Sequence, residues 1–170
     1  PEEFFILSNQ NNKKNFALYK SSLAKKSKNI WKLVVRHKND ELIEDFLCFE
    51  DFIILETRKK GLSCLIKIDR KNNKKEYVKL KDEVYTVNLA NNSDYKARYF
   101  SFIFSSLKLP PTLYSEDLYT KKRKKLWSQK VLGHNKEKYV TKRIIIRARD
   151  GKKIPISLLY KKGINLKEAP

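Results

Sequence analysis

The residues able to do chemistry are few and scattered. Gly61-Leu62-Ser63-Cys64-Leu65 begins like the Gly-x-Ser-x-Gly turn that lifts a nucleophilic serine off a strand, but its last position is Leu. The sharp strand-to-helix reversal of that turn needs the second glycine, so the segment reads as strand. His37 and His134 are the only imidazoles. His37 follows the apolar triplet Leu33-Val34-Val35 and has the chemistry of a general base, yet no Asp or Ser constellation is readable around it. Both histidines read as structural or solvated. Glu116 with Asp117, and Glu41 with Glu44 and Asp45, are the carboxylate groupings available for acid–base work, but spacing in a strand-rich chain does not bring them into one cleft. No Gly-rich phosphate loop is present, and neither histidine stands at metal-ligand spacing from Cys48 or Cys64. The expectation is a chain with no catalytic, cofactor-binding or metal-binding residue and no cofactor.

Charge supplies the one strong binding signal. Lys and Arg number 39 against 19 Asp and Glu, a formal net charge of +20. Such a field attracts nucleic acid or an acidic surface. Lys far exceeds Arg, Asn is abundant, Gly and Pro are scarce, and the basic residues are spread along the whole chain, which is the mark of A/T-rich coding. Phosphate-reading sites favour Arg. The best local candidate is Lys121-Lys122-Arg123-Lys124-Lys125, with Tyr119 and Trp127 beside it for base stacking. The competing reading is a basic turn between the third and fourth strands of a sheet, with Trp127 packed inward. Nucleic acid is therefore expected as a non-specific partner only.

What would position any of these residues is a set of strands. Short runs rich in Phe, Ile, Tyr and Val recur with period two. Phe4–Leu7 and Asn15–Tyr19 flank Asn9-Gln10-Asn11-Asn12; Phe52–Leu55 and Leu62–Ile68 flank Lys59-Lys60-Gly61; Tyr99–Phe104 and Thr112–Tyr114 flank a loop holding Pro110-Pro111, where the prolines should stop the ladder. The three hairpins start 48 and 47 residues apart. Each is followed by a shorter segment, Ile30–Leu33, Tyr77–Leu80 and Leu126-Trp127, and a further strand candidate lies between cycles at Leu42–Phe49 and Val84–Leu89. Four strands in about 47 residues is the arithmetic of a β-propeller blade. A β-sandwich gives similar strand spacing without the four-strand super-period.

The pattern changes after Val131. Tyr139–Arg147 and Ile154–Tyr160 alternate cleanly around Asp150-Gly151, a strong hairpin signal. An isolated hairpin is marginal in water, so this one is expected to belong to a further domain. Gly133 marks the boundary, and Lys161–Pro170 reads as a loop. At 170 residues and with 9 Phe, 9 Tyr and 2 Trp, the chain can build a core. It contains no Met, so Pro1 reads as an internal position of a longer protein. No stretch approaches the ~18 apolar residues of a membrane span, no signal peptide is readable after the acidic Pro1-Glu2-Glu3, and two cysteines make no disulfide framework. A cytoplasmic setting without a membrane partner is expected.

Three segments together resemble the prolyl oligopeptidase family of serine peptidases, its oligopeptidase B group in particular. Phe102-Ile103-Phe104-Ser105-Ser106-Leu107, continued by Pro110-Pro111-Thr112-Leu113-Tyr114, is similar to the family's last propeller blade. Val131-Leu132-Gly133 with Tyr139-Val140-Thr141-Lys142-Arg143 is similar to the linker leaving the propeller. Ala148-Arg149-Asp150-Gly151, running on to Leu158-Leu159-Tyr160, resembles the hairpin that opens the α/β-hydrolase domain. The resemblance implies an all-β segment. Residues 1–132 would be the C-terminal part of a β-propeller, about three four-stranded antiparallel blades. Residues 133–170 would be the linker and first hairpin of a truncated α/β-hydrolase peptidase domain. It further implies an enzyme that cleaves short peptides after Lys or Arg, the propeller restricting entry. The Ser-His-Asp triad would lie in a catalytic domain in cis, downstream of Pro170, so no catalytic residue carries over to this chain.

Overall fold

The computed structural model describes residues 3–22 and 31–165. Among the described residues, thirteen strands form four antiparallel sheets and no α-helix occurs. The first sheet is β1 (Glu3–Ser8), β2 (Ala17–Ser22) and β3 (Lys32–Val35), in that order. The second is a four-stranded meander of β4 (Glu41–Cys48), β5 (Phe52–Lys59), β6 (Leu62–Asp69) and β7 (Lys75–Tyr77). The third repeats it with β8 (Tyr85–Leu89), β9 (Tyr99–Ser106), β10 (Leu109–Asp117) and β11 (Arg123–Ser128). Each of these two is one propeller blade. Finally β12 (Tyr139–Arg147) and β13 (Lys153–Lys161) form a hairpin of their own.

Turn chemistry explains the hairpins. Asn11 and Asn12 sit at φ 57° and 59°, and Lys60-Gly61 at 51° and 75°. At the two-residue Lys60-Gly61 turn, positive φ at both central residues matches the twist of the flanking strands. Asn11 and Asn12 lie within the longer loop between Ser8 and Ala17, and Asn is one of the residues that tolerates the left-handed region. The β5–β6 register then runs without a slip from Lys59↔Leu62 to Phe52↔Asp69.

Two compact units divide the described residues: 3–22 and 31–78 with 93–97, and 79–92 with 98–165. In the first, Leu18 and Val35 of the first sheet pack with Ile43, Ile53, Leu55, Ile66 and Ile68 of the second, and Phe5, Leu7 and Phe16 close over them. β5 is buried along Phe52–Thr57, on both faces, which is why Phe-Ile-Ile-Leu reads as a continuous apolar run. At about 1.5–3 kcal/mol per fully buried aliphatic side chain, this cluster is the main stabilising element of the unit. In the second unit Phe100, Phe102 and Phe104 lie on one face of β9 and are buried. Phe102 stacks on Tyr114 at 5.7 Å and Phe104 meets it edge-on at 6.5 Å.

Several expectations change. Pro110 and Pro111 do not end the ladder: they lie inside β10, at a register shift between Leu109 and Thr112. Proline has no N–H to donate, but the Pro111 carbonyl still accepts from Gln129 N at 2.9 Å, so the irregularity absorbs both rings. The turn itself is Leu107-Lys108. The segment expected at Tyr77–Leu80 is paired two residues earlier, as β7, and the inter-cycle strands turn out to open each four-stranded sheet. Ile30 of the expected segment Ile30–Leu33, residues 1–2, and residues 166–170 of the expected terminal loop lie outside the described residues. Lys161 ends β13 instead of beginning a loop.

Candidate functional site

Ser63 lies in β6, opposite Arg58, two residues past the Lys60-Gly61 turn, and is buried. A strand serine paired in a ladder is not lifted towards substrate, so the resemblance to a nucleophile turn ends at its first glycine. Cys64 follows on the same strand, and Cys48 is held in the core of the first unit. Burial pushes the Cys48 thiol up to about 12, against the opposing charge of Arg70, so it carries little nucleophilic thiolate near neutral pH.

Glu41, Glu44 and Asp45 do not share a cleft. Glu41 is 4% exposed and accepts from Lys38 Nζ at 2.6 Å, Tyr77 Oη at 2.8 Å and Thr57 Oγ1 at 3.3 Å. Burial raises its pKa, but the hydrogen bonds from Lys38 and Tyr77 and the charges of Lys38 and Lys59 outweigh it, and the net direction is downward. Tyr77 is pushed up to about 12 by burial and by its bond to Glu41. The result is a carboxylate ionised near neutral pH and engaged by three donors, suited to bracing β4, β5 and β7 and unsuited to proton transfer near neutrality. Glu44 turns to Arg58 Nε at 2.9 Å, and Asp45 Oδ1 accepts from Phe46 N at 2.7 Å.

Glu116 and Asp117 are adjacent in sequence but separately employed. Arg123 donates to Glu116 through Nε and Nη2 at 2.8 and 2.5 Å, lies 5.0 Å over Phe102, and reaches Lys79 O at 3.0 Å. Asp117 Oδ1 accepts from Tyr119 N and Thr120 N at 2.9 and 2.8 Å, and Oδ2 from Arg98 Nε at 2.7 Å. The backbone bond from Thr120 is the largest cause holding this carboxyl well below the usual range, aided by Arg98. It caps the turn into β11.

The basic run is thus divided by its contacts: Arg123 is held by Glu116 and lies over Phe102, although the residue is exposed, and Lys121, Lys122, Lys124 and Lys125 are exposed as well. Trp127 is 56% exposed and Tyr119 55%, which corrects the expectation that Trp127 packs inward. The physical reason is a bulge: Lys125 pairs Tyr114 and Trp127 pairs Leu113, leaving Leu126 as the extra residue and turning Trp127 to the opposite face. Of the histidines, His37 makes no side-chain hydrogen bond among the described residues. His134 contacts Lys108 O through Nε2 at 2.9 Å and stacks on Tyr139. Among the described residues, no three His, Cys, Asp or Glu side chains converge as metal ligands, and no helix is long and apolar enough to cross a membrane.

Two groups carried no readable signal. Arg70, at the end of β6, donates to Phe49 O, Glu50 O and Tyr95 Oη at 2.8, 2.7 and 2.7 Å and lies over the Phe5 ring at 5.2 Å. Asp82 lies in the connection between the second and third sheets and accepts from Thr141 Oγ1 of β12. Neither stands in a motif, because each works through segments distant in sequence.

A four-stranded antiparallel sheet repeated along a chain is a family property before it is an individual one. The family model described as "Prolyl oligopeptidase, N-terminal beta-propeller domain" matches residues 1–129. The chain belongs to the prolyl oligopeptidase family. Dipeptidyl aminopeptidase BI of Pseudoxanthomonas mexicana is 30% identical over 164 residues, covering 96% of this chain and 22% of that protein. Oligopeptidase B from Trypanosoma brucei, in a closed form with covalently bound antipain, superposes with a TM-score of 0.83 at 25% identity, over 98% of this chain and 24% of its own. Oligopeptidase B from Leishmania major shares the fold, with a TM-score of 0.84 at 21% identity, over 98% of this chain and 24% of its own. The chain spans less than a quarter of the length of each of these relatives. Within the family, the match to the propeller domain ends at residue 129, one residue past the end of β11.

Proposed function

We propose that the chain is the propeller segment of a cytoplasmic serine-type oligopeptidase that hydrolyses short peptides after Lys or Arg. The propeller limits which peptides reach the active site. A hydrolase domain in cis supplies the Ser-His-Asp triad, and residues 133–170 are the linker and first hairpin of that domain. The observation that carries the reading is the family match over residues 1–129, followed by a hairpin that is separate from the blades. The division of labour agrees with the side chains: of the carboxylate groupings weighed for acid–base work, Glu41, Glu116 and Asp117 are engaged in bracing a blade or capping a turn. An acyl-enzyme mechanism needs a base-activated hydroxyl and an oxyanion hole, and these fall to the other domain.

The test is to read the coding sequence past Pro170 and express the whole open reading frame. A Gly-x-Ser-x-Gly segment within a hydrolase pattern, and cleavage of Arg- and Lys-containing short peptides in preference to neutral ones, is the expected result. A continuation without that segment, or a whole protein that cleaves only after other residues, would overturn the activity or its specificity respectively. Binding to nucleic acid is proposed only as a non-specific consequence of the +20 charge.

A further inference from the structure

Residues 130–138 have the look of a hinge. They are exposed, Leu132 is 97% exposed, and Gly133 takes φ 69° with open space around it. Both ends of this stretch are nevertheless tied to the third sheet. At its start, Ser128 Oγ and Thr112 Oγ1 share a hydrogen bond of 2.8 Å and Gln129 N donates to Pro111 O. Its middle is held by His134 on Lys108 O.

Past the stretch, the root of β12 meets a carboxylate almost sixty residues earlier. Thr141, 7% exposed, donates its hydroxyl to Asp82 Oδ1, and the Asp82 side chain is 2% exposed. Lys108 Nζ stands 3.8 Å from Asp82 Oδ2, which has no hydrogen-bond donor of its own. Next to it, Glu83 Oε2 accepts from Arg143 N at 3.3 Å. Burial raises the Asp82 pKa, but the Thr141 and Ser106 hydroxyls and the Lys108 charge outweigh it, and the carboxylate stays ionised. Beyond Arg143, among the described residues, no hydrogen bond or ion pair from β12 to an earlier segment is seen: Ile144 is half-buried, Ile145, Ile146 and Ile154 are exposed, and Arg147↔Lys153 closes the hairpin.

We propose that Asp82 is a latch that fixes the root of β12 to the third sheet, so that the pivot between this sheet and the outer part of the hairpin lies beyond Arg143 and not at Gly133. A buried carboxylate held by a hydroxyl and an ammonium is costly to leave unpaired. The latched root therefore opens less readily than the linker before it or the hairpin tip after it. The flexible-looking linker is then a loop closed at both ends, and movement of anything carried by the outer hairpin is transmitted through Ile144–Arg147.

Amide hydrogen exchange on the whole chain, in parent, Asp82→Asn and Thr141→Val forms, tests this. Thr141→Val keeps the side-chain shape and removes only the donor, so it serves where the Asp82 variant loses the fold. The expected result is protection of residues 140–143 in the parent that falls about tenfold in each variant, with β9 and β10 amides unchanged. Equal protection of 140–143 in parent and Thr141→Val would overturn the latch. Faster exchange of β9, β10 and β12 together in Thr141→Val would also overturn it, since Asp82 would then support the whole unit. Protection that is already absent at 140–143 in the parent would return the pivot to Gly133.

Discussion

The second sheet and the β12–β13 hairpin are written in the same alphabet and meet opposite fates. Phe52-Ile53-Ile54-Leu55 in β5 and Ile144-Ile145-Ile146 in β12 are both apolar, isoleucine-bearing runs near a positive-φ glycine turn. Ile53 and Leu55 are 1% exposed, whereas Ile145 is 59% exposed. The difference is not propensity. β5 has neighbours on both edges and a packed sheet on its face; β12 has one ladder partner and a footing at Asp82. A run of isoleucine therefore announces a strand, and only the elements packed on it announce a core.

That contrast predicts unequal costs for the same chemistry. Leu55→Ala leaves a cavity in the first unit and should cost about 2–5 kcal/mol of unfolding free energy, read from urea denaturation. Ile145→Ala in this chain should stay within about 0.5 kcal/mol, the range of exposed substitutions. Equal losses at both positions would mean that the hairpin is as well packed as the blade.

The carboxylates sharpen the comparison at the next scale. Glu41→Gln in the second sheet removes an acceptor for a charged donor and should cost roughly 1.5–3 kcal/mol near neutral pH. Because the folded-state pKa of Glu41 lies below its ordinary 4.5, its contribution is present above that value and disappears as pH falls through the lowered one. The acid limb of the stability profile should accordingly be shallower in Glu41→Gln. Tyr77 works in the other direction: raised from 10.0 to about 12, it contributes fully below pH 10 and is lost as pH rises towards 12. Tyr77→Phe should remove that alkaline loss, followed by fluorescence-monitored unfolding between pH 9 and 12.

The smallest effect concerns the exposed lysines. Replacing Lys122, Lys124 and Lys125 by Ser, with Arg123 kept on Glu116, should weaken oligonucleotide binding no more than three exposed lysines changed elsewhere. Affinity in all forms should fall steeply between about 50 and 200 mM salt. Salt-resistant binding lost only in the first variant would give Trp127 and Tyr119 a stacking role.

Much of the fold was legible because propeller strands carry strong local codes: Asn11-Asn12, Lys60-Gly61 and Asp150-Gly151 all mark turns where hairpins form, and the 47-residue spacing matches Phe52 of β5 to Tyr99 of β9. Pro110-Pro111 misled because a proline pair forbids donation without forbidding a bulged strand. Trp127 misled because a single extra residue, Leu126, reverses which face it takes. The engagement of Glu41 by Tyr77, of Arg70 by Tyr95, and of Asp82 by Thr141 was invisible for a different reason. Each pairing spans from 25 to 59 residues and depends on sheet geometry, which period and composition do not encode.

On the proposed function, these blades belong to a peptidase whose chemistry another domain performs. The direct measurement is hydrolysis of an Arg- or Lys-ester substrate by the purified 170-residue chain, with and without a serine-directed phosphonylating reagent. The account predicts no turnover above the uncatalysed rate and no covalent labelling, since Ser63 is buried in a ladder and neither histidine is hydrogen-bonded to a hydroxyl among the described residues. Turnover that the reagent abolishes, with one serine of this chain modified, would contradict it.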